Sequence, residues 1–209
     1  MKKLFLFVII VLSVLNMNAQ KGTYYIGTTG FAPFGELGVN LNGISLSPMT
    51  GFTSLTVEND YTTTNVGIAP EVGYFINDNI AVGIGLFYTA STYSPDAVGD
   101  DDVKFNTFGF NPYVRYHFIN KGNFRVYGQF NIAYASARSD IRGTKAIRAF
   151  EVGISPGLSY QLTERIAINA GFGSFGYAVA EDRNSQIRAS VFGLNLDSSS
   201  LKFGFTISF

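Results

Sequence analysis

The sequence predicts an all-β protein that forms a closed antiparallel up-and-down barrel of eight strands. Apolar and polar residues alternate with a period of two along most of the chain, which is typical of strands with two different faces. Tight polar turns alternate with longer polar connections between the strands. This is typical of a barrel that has short turns at one end and long loops at the other. After the N-terminal stretch, no segment offers the roughly 20 consecutive apolar residues of a spanning helix.

The N-terminal residues form an element of their own. Two lysines follow the initial methionine, residues 4–15 are almost entirely apolar, and Ala19 is a small residue suited to precede a cleavage site. This layout is that of a secretory signal peptide, so we expect residues 1–19 to be removed and residues 20–209 to form the barrel. The absence of cysteine excludes disulfides and a lipid anchor at the cleavage site.

Composition narrows the class of protein further. Charged residues make up only 14% of the chain, against roughly 25% in soluble domains. The chain contains 20 Phe, 12 Tyr and 23 Gly. Basic and acidic residues balance at 15 each, whereas a nucleic-acid-binding protein carries a basic excess. Nucleic acid is therefore not a predicted partner.

The alternating segments, taken in order, give the strands. We predict strands over about residues 23–29, 62–76, 80–93, 104–119, 123–138, 147–162, 165–178 and 200–209. An internal repeat supports this division, because the pattern Pro-x-Val/Leu-x-Tyr begins at Pro70, Pro112 and Pro156 and each copy leads into a short polar turn. A repeat of about forty residues that contains two strands indicates an array of hairpins.

Residues 30–61 allow two interpretations. Asn42-Gly43 lies between alternating residues and is a strong hairpin signal, which would raise the number of strands to ten. We favour eight strands, with residues 30–61 as a partly structured first loop. The other long connections are predicted on the same side of the barrel, over residues 94–104, 139–146 and 180–199.

The polar face of the strands distinguishes a membrane barrel from a soluble one. A barrel in water would be rich in Lys and Glu outside, but this face is mostly Gly, Ala, Ser and Asn. Small residues suit the narrow interior of an eight-stranded barrel. The apolar face is nearly free of charge, and a Lys or Arg at the bilayer midplane would cost about 2–4 kcal/mol. We therefore predict a transmembrane barrel with its apolar face toward lipid.

At this point a family resemblance emerges. The signal peptide, the repeated Pro-x-Val/Leu-x-Tyr units, the strand-turn-strand run of residues 73–83 and a last strand ending in Phe209 resemble the small outer-membrane β-barrel proteins of Gram-negative bacteria. These are the porin-family or outer-membrane-protein-A-like barrels. The resemblance implies an outer-membrane location and an assembly signal at Phe209 that the outer-membrane assembly machinery reads. Because no periplasmic domain follows Phe209, we expect no cell-wall tether.

Isolated polar residues on the inward face are the candidate lumen network. Its members are Glu71, Arg115, His117, Arg125, Glu151 and Lys202. They would form either a selectivity ring in a narrow channel for ions or small solutes, or a salt-bridged plug. We favour the plug, because the charges nearly balance and buried charges need partners. On the lipid face, Tyr74, Tyr116 and Tyr160 lie just before the short turns, at the height of a periplasmic aromatic girdle.

Two loops carry charge of opposite sign. Asp96, Asp100, Asp101 and Asp102 make the second loop acidic, and their spacing does not fit a helix-loop-helix calcium site, so we expect a solvated loop. The basic residues of the third loop are Arg138, Arg142, Lys145 and Arg148. They would meet lipopolysaccharide phosphates or pair with the acidic loop, and both interpretations stay open.

The sequence offers no evidence for catalysis. His117 is the only histidine and lies near a short turn, away from the loop side where outer-membrane enzymes act. Without a second His or any Cys, we predict no metal site and no cofactor. We therefore expect a non-enzymatic outer-membrane barrel with a structural or loop-presenting role, in contact with outer-membrane lipid and lipopolysaccharide. The alternative is a narrow channel, and the oligomeric state stays open.

Overall fold

The computed structural model describes the greater part of residues 22–209. The described residues are 22–31, 39–41, 44–46, 55–58, 61–95, 103–141, 143–183, 186–195 and 202–209. Residues 1–19 lie outside these ranges, so the signal peptide stays a prediction. Among the described residues, no helix is long and apolar enough to cross a membrane.

All the regular elements of the described ranges are β-strands. In chain order they are β1 (Tyr24–Phe31), β2 (Val39–Leu41), β3 (Ile44–Leu46), β4 (Leu55–Glu58), β5 (Tyr61–Ile68), β6 (Pro70–Phe75), β7 (Ile80–Pro95), β8 (Val103–Lys121), β9 (Phe124–Ser139), β10 (Ile147–Gln161), β11 (Ile166–Gly171), β12 (Ser174–Asp182), β13 (Ile187–Asn195) and β14 (Lys202–Ser208). We call the end of the barrel with the short connections the turn end, and the opposite end the loop end.

These segments build eight barrel strands, all antiparallel to their neighbours. The eight are β1, β5 with β6, β7, β8, β9, β10, β11 with β12, and β13 with β14. The sheet closes because β1 lies between the second strand and the last, with Ile26 opposite Val72 on one side and Ile207 on the other. Closure pairs the backbone groups of edges that lipid could not satisfy. The prediction of an eight-stranded closed barrel is confirmed.

Strands β2 and β3, on either side of Asn42-Gly43, pair with each other but add no strand to the closed barrel. Strands β2 and β3 pair as a separate two-stranded sheet, with Val39 opposite Leu46 and Leu41 opposite Ile44. Residues 42 and 43 themselves lie outside the described ranges. Strand β4 instead pairs with β5 at the loop end, as an extension of the barrel sheet.

The prediction of a long connection over residues 180–199 is wrong. Strand β12 continues to Asp182 and β13 begins at Ile187, with Glu181 opposite Arg188, so only residues 183–186 connect them. The physical reason is that Arg188 and Ser190 occupy exposed positions at the loop end. Such positions lie beyond the apolar band, so the segment lacks the alternation that marked the other strands.

The outer face of the barrel is apolar, and its inner face is small or polar. Large apolar side chains point outward, and Leu86, Phe110 and Ile154 are 45%, 40% and 51% exposed. Among the described residues, those that point inward are mostly small or polar. An apolar exterior around a polar interior is the arrangement of a barrel in lipid.

Inward aromatic rings lie across glycines of the neighbouring strand. The directly opposed pairs are Tyr25 with Gly73, Tyr113 with Gly83, Phe87 with Gly109, and Tyr127 with Gly157. A Cβ atom added to any of these glycines would collide with the opposite ring. The glycines therefore make room for rings that cover the backbone and fill the interior.

Candidate functional site

The candidate site is the lumen, and Arg115 of β8 is the centre of its turn-end half. The Arg115 Nε atom donates a hydrogen bond of 2.8 Å to Oε1 of Gln129 on β9. Its Nη2 atom lies 3.5 Å from Oε2 of Glu71 on β6, and both charged side chains are buried. An ion pair buried this deeply needs further polar partners to offset the loss of water.

Three tyrosine rings supply that compensation. The Arg115 guanidinium carbon lies 4.6 Å from the ring centre of Tyr127, 5.2 Å from that of Tyr113 and 5.9 Å from that of Tyr25. Each ring face attracts the cation electrostatically, by about 0.5–2 kcal/mol in comparable contacts. The hydroxyls of Tyr25 and Tyr113 are themselves hydrogen-bonded at 2.7 Å. We call Arg115, Glu71, Gln129 and the three tyrosines the arginine cage.

Amide side chains continue the network toward the loop end. The Gln129 Nε2 atom donates to Oδ1 of Asn131 at 2.7 Å. The Asn131 Nδ2 atom donates to the Gln129 carbonyl at 3.2 Å and to Oγ of Ser155 at 3.5 Å. Gln129 and Asn131 are thus fully engaged, which fixes the position of the Gln129 oxygen that accepts from Arg115.

His117 and Arg125 lie nearer the turn end than the cage. The His117 Nδ1 atom lies 3.3 Å from the Asn79 carbonyl, and its ring packs 5.7 Å from Phe75 and 5.5 Å from Tyr127. The Arg125 guanidinium lies 6.0 Å from the Phe75 ring centre, and Asp78 attracts it electrostatically.

A polar cavity of about 220 Å³ occupies this end of the lumen. His117 and Arg125 line it, together with Asp78 and Asn120 from the turns. Arg115 also reaches its wall, so the cage and the cavity adjoin. A space of this size holds several water molecules or one small polar solute.

Glu151 and Lys202 are inward charged residues on β10 and β14, two strands that are separated by the strand made of β11 and β12. Glu151 of β10 lies opposite Ala133 of β9 and Ala178 of β12, and Lys202 of β14 lies opposite Gly171 of β11. The Lys202 ammonium attracts the Glu151 carboxylate electrostatically. The six predicted lumen residues therefore fall into three groups, of which only Glu71 and Arg115 form an ion pair among the described residues.

The loop-end half of the lumen has a different character. It contains a buried apolar cluster, and we call this cluster the alanine layer. Its members are Ala69, Phe87, Ala135, Ala137, Ile147, Ala149 and Ala180. The sequence analysis did not identify this layer, because alanine carries no distinctive pattern by itself.

The predicted girdle residues occupy one level of the outer face. Tyr116 and Tyr160 are about half exposed, and the Tyr74 ring lies 4.8 Å from that of Tyr24 on the neighbouring strand. Phe209 exchanges two backbone hydrogen bonds with Tyr24, at 2.9 and 3.1 Å, beside these rings. The roles of the tyrosines in anchoring and of Phe209 in assembly stay predictions.

The charged loops are described only in part. Arg138 and Arg148 are exposed on the outer face of β9 and β10, and Lys145 is exposed between the two strands. Arg142 and the acidic residues 96 and 100–102 lie outside the described ranges. Within those ranges, no group of three or more His, Asp or Glu side chains is placed to hold a metal ion.

A closed antiparallel barrel with an apolar exterior and a polar interior defines the class of membrane-spanning β-barrels. The model of the outer membrane protein beta-barrel domain family matches residues 4–203. The chain belongs to this family, whose members are outer-membrane barrels of Gram-negative bacteria.

Solved structures of similar fold are also outer-membrane barrels. OprG from Pseudomonas aeruginosa matches at 14% identity with a TM-score of 0.51, over 92% of this chain and 98% of its own. The N-terminal barrel domain of Pseudomonas aeruginosa OprF matches at 14% identity and a TM-score of 0.42, over 91% and 100% of the two chains. Neisserial surface protein A matches at 17% identity and 0.49, over 91% and 99%. The likeness to OprG supports the barrel fold alone, and no curated protein matches the chain.

Proposed function

We propose that the protein is a non-enzymatic, non-conducting outer-membrane barrel with a structural or loop-presenting role. The observation that carries this proposal is the arginine cage, whose members come from β1, β6, β8 and β9. Strand β1 pairs with β6, β8 pairs with β9, and β7 lies between the two pairs, so the cage extends over five consecutive strands of the eight, from β1 to β9. A rigid scaffold of this kind would hold its loops at the membrane surface.

The energetics of the cage favour a closed lumen. Arg115, which Glu71, Gln129 and three rings hold inside the lumen, would obstruct the passage of a hydrated ion. Separating one partner of a buried ion pair costs about 3–5 kcal/mol, which makes spontaneous opening rare. Beyond the cage, the alanine layer would form an apolar barrier, and apolar constrictions exclude water and ions even without a polar plug.

Conductance in a planar bilayer tests this proposal. The refolded protein should give no steady conductance. The variant Arg115→Ala/Phe87→Ala, which removes the side chains at both barriers, should give measurable conductance. The variant Lys121→Gln, which alters only an exposed turn, serves as the control and should stay silent. Steady conductance of the unchanged protein would contradict the proposal.

The alternative function is a narrow channel for ions or small solutes, and the turn-end cavity is the observation in its favour. This cavity is polar and carries Arg125 in its wall, so a small solute could already enter part of the lumen. In a channel, Arg125→Glu would reverse the charge at this entrance and change the preference between cations and anions. In a closed barrel, the same variant would leave conductance at the baseline.

A further inference from the structure

The outer face of the barrel changes from apolar to cationic at the loop end. Strands β9, β10, β12 and β13 are consecutive neighbours there. At one level they present Arg138, Arg148, Glu181 and Arg188 in turn, and all four residues are exposed. We call these four residues the arginine row.

The strand register brings the members of the row together. Arg148 lies directly opposite Glu181, and Glu181 lies directly opposite Arg188. Ser136 lies opposite Arg148 on the other side, so Arg138 is its diagonal neighbour on β9. Diagonal neighbours are about 7–8 Å apart, which long side chains bridge with ease. A single multivalent ligand could therefore touch all three arginines.

Among the described residues, the row carries more positive than negative charge. Glu181 lies 3.5 Å from Nε of a fourth arginine, Arg183, which follows β12. Among the described residues, no carboxylate lies within ion-pair distance of Arg138, Arg148 or Arg188. Within these ranges, four arginines share one glutamate, so three guanidinium groups have no carboxylate partner among the described residues.

The position of the row specifies the kind of anion. Phe150 is the next outward residue of β10 toward the membrane, and it is 41% exposed and lies opposite Tyr134. On β10, Arg148 and Phe150 are successive outward residues, so the cations lie directly next to the apolar band on the side of the loop end. Short turns of outer-membrane barrels face the periplasm, so this boundary belongs to the outer leaflet. Guanidinium groups bind phosphate oxygens in a bidentate manner, with added strength and specificity.

We propose that the arginine row binds the phosphate groups of a phosphorylated glycolipid in the outer leaflet, while Phe150 and Tyr134 contact its acyl chains. The turn end provides a contrast, since its outward level carries Tyr24, Tyr116 and Tyr160. The proposal does not depend on whether the lumen conducts. It requires only that the loop end faces outward.

Lipid retention by the purified, refolded protein tests the proposal. The protein is mixed in detergent with diphosphoryl lipid A, and the bound lipid is measured by native mass spectrometry. The variant Arg148→Gln/Arg188→Gln should bind at least about tenfold more weakly, because two charge-assisted contacts are lost. The matched control Lys121→Gln/Arg165→Gln removes two positive charges at the turn end and should bind as the unchanged protein does.

Two further measurements separate specific binding from general effects. Heat-dependent mobility on a gel reports barrel folding, so a loss of binding by a folded variant supports the proposal. The variant Arg148→Lys/Arg188→Lys keeps the charge without the planar fork and should retain part of the affinity. Equal binding by the Gln variant and its control would overturn the proposal. Equal binding of phosphatidylglycerol would overturn it as well, because any anionic headgroup would then suffice.

Discussion

The two halves of the lumen fill the same narrow space by different means. In the turn-end half, large tyrosines and a buried arginine are accommodated because glycines lie opposite the rings and because the buried cation acquires partners on several strands. In the loop-end half, alanines pack with Phe87 and Ile147, and the buried Asp182 lies opposite Ile147. The difference shows that the interior of one small barrel can be packed with different kinds of side chain at its two ends. One half depends on specific polar contacts and the other on close packing of small side chains.

The largest effect on this comparison should come from Arg115. In the variant Arg115→Met, Glu71 stays buried without its cation, so the free energy of unfolding should fall by about 3–5 kcal/mol. In the double variant Arg115→Met/Glu71→Leu, both charges are absent, and much of that loss should be recovered. Urea unfolding in lipid vesicles, followed by tyrosine fluorescence, measures both. Equal losses in the two variants would show that the ion pair is not the source of the effect.

A smaller effect is expected at the glycines that face aromatic rings. The variant Gly157→Ala places a methyl group against the Tyr127 ring, which should cost about 1–3 kcal/mol through overpacking. Gly128 on the adjacent strand is the matched control, because a methyl group at that position would have no atom within 4 Å. Gly128→Ala should leave the unfolding midpoint in vesicles nearly unchanged. Equal unfolding midpoints for the two variants would contradict the prediction. They would show that glycine at position 157 is not needed to make room for the Tyr127 ring.

The smallest effect should come from the turns, outside both halves. The Asn77 side chain accepts hydrogen bonds from the backbone of Asn79 and Ile80, at 2.9 and 2.8 Å. Asn77→Ala removes both, and the free energy of unfolding should fall by about 1 kcal/mol. Within the part of the chain that the structure describes, the Asn123 side chain accepts no such bond from a turn backbone, so Asn123→Ala is the control. The same unfolding assay would contradict the prediction if the two losses were equal.

The strand pattern and the two faces could be predicted from the sequence, because alternation is a local property of each segment. The eight strands and the outward apolar band both followed from it. Strand β13 was missed because its outward residues Arg188 and Ser190 lie above the lipid, where alternation between apolar and polar residues is no longer required. Local pattern therefore fails where the surroundings change from lipid to water.

The partners within the lumen could not be predicted in the same way. Glu71 and Arg115 were recognised as inward charges, but which residues meet depends on register between strands that are far apart in the sequence. Gln129 was on the inward face and was passed over in favour of charged residues, although its oxygen is the nearest partner of Arg115. The sequence did contain one signal for the register between strands. Each of the four inward aromatic rings lies directly opposite a glycine on the adjacent strand, so such pairs could have been used to align neighbouring strands.

The pairing of β1 with β14 has a consequence for how the protein reaches its native state. Every other barrel strand pairs with strands that are closer in the sequence, so hairpins can form early as local units. The seam between β1 and β14 is the contact of greatest separation along the chain, and contacts of that kind form slowly. Until the seam is made, both strands expose a row of unpaired backbone groups. Formation of this one seam therefore decides whether the sheet is a closed cylinder or an open sheet with two free edges that could pair with another chain.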